Sequence, residues 1–349
     1  MRPSPSLSTL SALVLVAGCA TFQQAPREGL GDEHVKLGRE HIYVSEQGRG
    51  AGEAVLLIHG YCGGAAQWSA IQPALARDHH VLAVDLPGHG KSDKYPGDYS
   101  PQGLARKLWR LLDRKGVERA HIVGHSWGTS ISLAMALQRP RRVRSLTLIG
   151  VWVYEEQLPP FIKWSRAPGL GELLFAMFFD ERLDDRIGAS FADPDRWARP
   201  EIVDRTREVL HRPGARAAAL AAARGMRFRP MQRRYSTVPH RVLIIHGERD
   251  WISRLPWARR LNSELPDSRL AVVPDAVHLP IMTRPAHVLR LLRPFLAGLE
   301  PGQAPPPRRR VRDAAPRRAP EEPDAPLSRP TREPGEDRDA PATGQGEPS

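Results

Sequence analysis

Cysteine is nearly absent from this chain. Two occur in 349 residues, Cys19 and Cys62, in unlike surroundings, so no internal disulfide framework is indicated. Lysine is scarce as well, confined to Lys36, Lys91, Lys94, Lys107, Lys115 and Lys163, so the formal net charge of +12 rests on arginine. A basic excess of this kind raises nucleic acid or an anionic surface as a partner. No basic stretch of the folding region is interleaved with aromatics as a single-strand binder requires. The arginines therefore read as solvated faces, and no nucleic-acid partner is expected. No cluster has the spacing of metal ligands, so neither metal nor cofactor is expected. The apolar run over residues 10–17 is too short to span a bilayer.

What is present is a sizeable apolar fraction, 41%, enough for a substantial core. The chain is organised around Gly124-His125-Ser126-Trp127-Gly128. A short apolar run over 120–123 precedes it and a helical pattern over 129–137 follows it. Strand, tight turn and helix put the Ser126 hydroxyl at the tip of a sharp elbow, and the flanking glycines let the helix pack close to the strand. The helix start aims backbone N–H groups at any negative charge forming there.

Around this elbow the strand signals recur. An antiparallel edge hairpin is expected over 35–44. Buried strands are expected at 54–58, 80–85, 143–150, 241–247 and 270–273. Helices are expected over 65–75, 101–115, 257–265 and 286–296. The alternation stops between 153 and 236, where Phe161, Trp164, Phe175, Phe178, Phe179, Phe191 and Trp197 accompany helical stretches broken by proline. This segment reads as a helical cap inserted between a first core part, 33–152, and a second, 237–299. Residues 300–349 are rich in proline, arginine and acidic residues and almost without large apolar side chains. They read as a disordered tail, since they cannot bury enough surface to offset ordering entropy.

At the other end, residues 1–18 read as an export signal. Val16-Ala17-Gly18-Cys19 resembles the lipobox of bacterial lipoproteins. The resemblance implies cleavage before Cys19, diacylation of its thiol, and a lipidated tether over 19–32. The residue after the cysteine is Ala20 rather than aspartate, which resembles the outer-membrane-sorted kind. A membrane-anchored position in the bacterial envelope, on the periplasmic side of the outer membrane, is expected.

Serine alone is a poor nucleophile. It needs a base within hydrogen-bond reach, and the base needs an orienting group. Histidine suits the base, with a reference pKa of about 6.5; an acid on its other ring nitrogen fixes the tautomer. There are thirteen histidines, so position decides. In a parallel sheet, functional residues lie at the carboxyl ends of strands. Asp250 and His278 each follow an expected strand by a short loop, giving the chain order Ser, Asp, His.

These residues carry a resemblance. With His59-Gly60, residues 85–92 (DLPGHGKS), the elbow, residues 247–250 (GERD) and the His278 loop, residues 33–299 resemble an α/β-hydrolase of the cap-bearing group. The resemblance implies an α/β fold with a mostly parallel, doubly wound sheet and an inserted helical cap. It also implies Ser126, Asp250 and His278 as catalytic residues, and an oxyanion hole from the backbone N–H groups of Tyr61 and Trp127. Two departures stand out: Val277 replaces the usual glycine before the histidine, and Thr129 a frequent third glycine after the elbow. Glu155 is the rival for the acid, after the strand before the cap. Asp85 and Ser92 read as loop-fixing, His59 and His125 as packing or hydrogen-bonding residues, and Cys62 as a pocket wall. A serine, rather than a carboxylate, at the elbow points to acyl transfer, with an ester or lactone bearing an apolar part as the expected small-molecule substrate. Alternatives are a carbon–carbon or peptide bond, perhydrolysis, or a catalytically silent lipoprotein scaffold.

Overall fold

The computed structural model describes Phe22, Gly31 and residues 33–179 and 200–299. The signal, Cys19, nearly all of the tether, Phe191, Trp197 and the tail lie outside the described residues. Eight strands form one sheet: β1 (His34–Leu37), β2 (Glu40–Gln47), β3 (Ala54–Ile58), β4 (His80–Val84), β5 (Ala120–His125), β6 (Val143–Ile149), β7 (Val242–Gly247) and β8 (Ser268–Val273), in the order β1-β2-β4-β3-β5-β6-β7-β8. The β1–β2 hairpin is antiparallel, and β2 also runs antiparallel to β4. Every other pairing is parallel.

The central strands are apolar on both faces because both faces are covered. Alternate residues separate into two cores. Leu56, Ile58, Ile122, Leu146 and Ile244 join one; Val55, Leu57, Val123, Ile149 and Leu243 join the other. Each large side chain withdrawn from water in this way contributes about 1.5–3 kcal/mol. The period of two along each strand is what winds the helices to both sides.

Helix α1 (Gln72–Leu75) is short. The expected helix over 65–75 is instead a 3₁₀ turn at Ala65–Trp68, a break, and this single turn. Pro73 near its start has no N–H to continue a helix arriving from Trp68. Helix α2 (Pro101–Arg114) follows the sequence signals more closely. Ser100 caps it by accepting from Gly103 N–H at 3.1 Å, Pro101 opens it, and Leu104, Leu108, Leu111 and Leu112 bury its inner face. Helix α3 (Trp127–Gln138) is buried along nearly its whole length, between α2 and the sheet.

Among the described residues, the α-helices between β6 and β7 are α4 (Pro160–Trp164), α5 (Leu170–Phe178), α6 (Pro200–His211), α7 (Ala215–Gly225) and α8 (Arg229–Gln232), with no strand among them. Alanine-rich α7 is the inner one. Ala217, Ala218, Ala219, Ala222 and Ala223 are buried, and small side chains let its backbone approach the loop after β4. Ala218 lies so close to Gly88 that a Cβ there would sit 2.8 Å from the alanine methyl. Arg224 on α7 binds both carboxylate oxygens of Glu172 on α5 at 2.8 Å. The aromatics of this region divide. Phe161, Phe175 and Phe179 stack in a row with ring centroids 5.2 and 5.6 Å apart, while Trp164 and Phe178 are exposed. The chain returns through α9 (Leu255–Glu264), α10 (Pro280–Thr283) and α11 (Pro285–Leu296). Among the described residues no helix is long and apolar enough to cross a membrane.

Candidate active site

Ser126 sits between β5 and α3 with φ 52° and ψ −122°. A non-glycine residue held there stores about 1–3 kcal/mol, which the surroundings must offset. They do so through packing that tolerates no side chain at the flanking glycines. A Cβ on Gly124 would collide with Ser132 Oγ and the Gly128 carbonyl; one on Gly128 would collide with the Ile58 and His59 carbonyls. The Ser126 N–H donates to the Ile149 carbonyl at 2.8 Å, tying the elbow to β6. Thr129, where a glycine was the commoner expectation, donates its hydroxyl to the Ser126 carbonyl at 2.6 Å and accepts from Trp152 N–H at 3.0 Å.

The three side chains singled out from the sequence meet. The Ser126 hydroxyl donates to His278 Nε2 at 2.9 Å, and His278 Nδ1–H donates to Asp250 Oδ2 at 2.9 Å. The tautomer follows from the partner, because an ionised carboxylate only accepts. All three are buried, at 8%, 6% and 4% exposure for Ser126, His278 and Asp250. Burial alone would raise the Asp250 carboxyl. The adjacent His278 imidazole and its hydrogen bond outweigh that and hold it below the ordinary carboxylate value. It is therefore an anion near neutral pH. Val277, in place of the usual glycine, is simply buried beside the histidine.

Asp250 is oriented by its own turn. Its Oδ1 accepts from the N–H groups of Ile252 at 3.0 Å and Ser253 at 2.8 Å. Ser253 in turn donates its hydroxyl to the Val151 carbonyl just past β6. Gln157 closes this patch, donating to the Val151 carbonyl at 2.9 Å and accepting from Val153 and Tyr154 N–H at 2.8 and 2.9 Å. Glu155, the rival acid, is placed elsewhere. It pairs with Arg166 at 2.5 Å and accepts from Phe228 N–H at 3.0 Å, so it fastens the helical segment and does not reach His278.

Two further histidines support the loops. His125 Nε2–H donates to the His278 carbonyl at 2.8 Å, with ring centroids 4.8 Å apart. Burial, then the nearby His278, push it down to about 3, so it stays neutral. His59 Nδ1–H donates to the Gly60 carbonyl at 2.7 Å, and its Nε2 accepts from Leu86 N–H at 2.9 Å. Burial pushes His59 down to about 4. Asp85 and Ser92 fix the loop after β4: Asp85 accepts from Ala65 N–H at 2.6 Å and Lys91 N–H at 2.7 Å, and Ser92 donates to the Asp85 carbonyl at 2.6 Å.

Trp127 is the first residue of α3, and an N–H there has no partner within its helix. Tyr61 lies in the turn after β3. The two rings make an edge contact with centroids 6.1 Å apart. Gly60 brings this turn against Ser126, so that a Cβ there would sit 2.9 Å from Ser126 Cβ. The Tyr61 hydroxyl donates to the Ala219 carbonyl on α7 at 3.0 Å, a link to the cap that no local pattern signals. Among the described residues no three His, Cys, Asp or Glu side chains converge as metal ligands.

A family model described as alpha/beta hydrolase fold matches residues 53–193. The dihydrolipoyllysine-residue acetyltransferase component of the acetoin cleaving system of Pseudomonas putida is 31% identical over 274 residues, covering 77% of this chain and 70% of that protein. The chain belongs to the alpha/beta hydrolase family. Another family relative, the 2-hydroxy-6-oxo-2,4-heptadienoate hydrolase of Pseudomonas putida, is 29% identical over 266 residues, 71% of this chain and 90% of its own. Among solved structures, Cfl2 of Burkholderia cenocepacia matches with TM-score 0.69 over 79% of this chain and 99% of its own, at 23% identity. That is a likeness of fold.

Proposed function

We propose that the protein is a serine hydrolase acting through an acyl-enzyme, on carboxylic esters or lactones with an apolar part. The observation that carries this reading is the continuous relay from Ser126 through His278 to Asp250, with both hydrogen bonds at 2.9 Å. His278 takes the Ser126 proton as Oγ attacks the carbonyl carbon. The oxyanion of the tetrahedral intermediate lies toward the backbone N–H groups of Tyr61 and Trp127; each such donor is worth about 10²–10³ in rate. Collapse breaks the bond to the alcohol, which leaves with the proton from His278. Water then attacks the acyl-enzyme, His278 again accepts a proton, and the acid departs as Ser126 regains its own. Asp250 stays ionised throughout and stabilises the imidazolium.

A fluorophosphonate probe should label the wild type and leave Ser126→Ala unlabelled. p-Nitrophenyl esters should be turned over in preference to aminoacyl anilides. A folded wild type that resists the probe would make the protein a scaffold; anilide turnover would move the reaction to peptide bonds. The relationship to the Pseudomonas putida 2-hydroxy-6-oxo-2,4-heptadienoate hydrolase supports a second reading on the same residues, cleavage of a carbon–carbon bond.

We also propose that the enzyme works tethered to the periplasmic side of the outer membrane through acylated Cys19, on the lipobox-like Val16-Ala17-Gly18-Cys19. Labelled palmitate should enter the wild type and be lost in Cys19→Ser, with release from the membrane fraction. Equal retention of both would rule the anchor out.

A further inference from the structure

His89 lies in the loop after β4 and takes no part in the relay. The residue is 6% exposed. Nδ1–H donates to the Pro87 carbonyl at 3.2 Å, so Nε2 carries a bare lone pair. No group among the described residues partners it. Burial, then the neighbouring His59, push the imidazole down to about 3, which keeps that lone pair available. A buried acceptor left alone forfeits its hydration without recompense, so its retention calls for an explanation.

The loop that presents it is rigid. Asp85 holds the backbone at Lys91. A Cβ on Gly88 would clash with the Tyr99 ring, and one on Gly90 with the Asp85 carboxylate. His89 helps line a small cavity, with Cys62 and Gly63 of the turn after β3 on one side and Leu210, Ala215 and Ala219 of the cap on the other. The free space is about 10 Å³, room for one water-sized group. The same turn carries Gly60, where a Cβ would sit 2.9 Å from Ser126 Cβ. Trp127, whose ring centroid is 5.7 Å from that of His89, holds a second buried polar atom, the Nε1–H donor, with no partner among the described residues.

We propose that this cavity is a substrate subsite for a single hydroxyl, accepted by His89 Nε2. Acceptor and donor are both buried within one ring contact of each other. A hydroxyl is the smallest substrate group that can serve both, since it donates and accepts at once. The free space there matches one such group. The enzyme's substrate is then a hydroxylated ester or lactone, apolar elsewhere, with His89 as a specificity-determining residue. This rests on the hydrolase reading above and narrows its substrate class.

The test uses pairs in which a methyl replaces the hydroxyl. On the acyl side the pair is p-nitrophenyl 3-hydroxybutanoate and 3-methylbutanoate; on the alcohol side it is 2-hydroxyethyl and propyl butanoate. Wild type should favour the hydroxyl member of at least one pair by about 10²-fold or more in kcat/KM, as sites built to bond a hydroxyl do. His89→Phe, which keeps a ring and loses the acceptor, should erase the preference. His89→Gln, whose amide oxygen accepts, should retain part of it, and it serves alone should the phenylalanine variant not fold. Turnover without preference in wild type means the cavity holds only a structural water, and overturns the subsite. A preference that survives in His89→Phe overturns the assignment to His89. Failure of the hydrolase reading looks different: no member of either pair is turned over, and the subsite falls with it.

Discussion

Replacing Ser126 by alanine should lower ester turnover by about 10⁴–10⁶-fold, and His278→Ala should do the same. The reason is the shared proton. Without the hydroxyl there is no nucleophile; without the imidazole the hydroxyl keeps its proton. The double variant should be scarcely slower than either single one, because each loss already disables the unit. Asp250→Asn should cost about 10⁴-fold. The relay survives in outline, but the amide can neither force the Nδ1–H tautomer nor stabilise imidazolium. Substrate KM should change little in all of these, since none fills the space where an apolar chain would lie. Single-turnover and steady-state rates on one ester, with folding checked by thermal unfolding, decide the matter. His278→Ala retaining more than a hundredth of wild-type rate would end the assignment.

The second large effect is on stability in acid. Burial pushes His59 down to about 4 and His89 and His125 down to about 3, against about 6.5 in an unfolded chain. Between pH 6.5 and 4 the unfolded chain therefore binds protons that the folded one refuses. Stability is fully present above pH 6.5 and falls as pH falls through that window. Each such histidine contributes a slope of about 1.4 kcal/mol per pH unit, and three together about 4. Against a total stability of about 5–15 kcal/mol, the roughly 1.5 pH units from 6.5 to 5 remove about 6 kcal/mol, a large share of it. Asp250 and Glu46, both held below their ordinary values, add their own loss below about pH 4.5, where the unfolded carboxylates protonate first. Denaturation midpoints measured from pH 7.5 to 4.5 should drop steeply below pH 6, and His125→Asn should make that slope shallower. A midpoint unchanged down to pH 5 would show that these rings gain compensation on protonation.

The parts of this molecule readable in advance are those whose cause is local. Strands β3, β5 and β7 are short apolar runs between breakers. The elbow is legible because Gly124 is dictated by contacts within the same strand–turn–helix unit, while Gly128 answers to the Ile58 and His59 carbonyls at the end of the neighbouring β3. The chain order of Ser126, Asp250 and His278 follows from their positions at strand ends. What stayed hidden depends on partners far along the chain. His125 holds the carbonyl of His278, 153 positions away. Ser253 fastens the acid's turn to Val151, 102 positions away. Neither bond needs a particular residue type at its carbonyl end, so no pattern marks it. The helix expected over 65–75 is interrupted for a local reason, the proline at 73. The cap was legible only as helix. Which of its aromatics pack and which face water depends on how α4, α5 and α7 lean together, and Glu155 turned out to serve that arrangement.

The described helices α4 to α8 enter the chain at one joint, between β6 and β7, whereas Ser126, Asp250 and His278 stand past strands of the sheet on either side of it. Heredity can therefore rewrite one while leaving the other alone. A change confined to that insertion can alter which molecule fits while the side chains that meet at the strand ends keep their places.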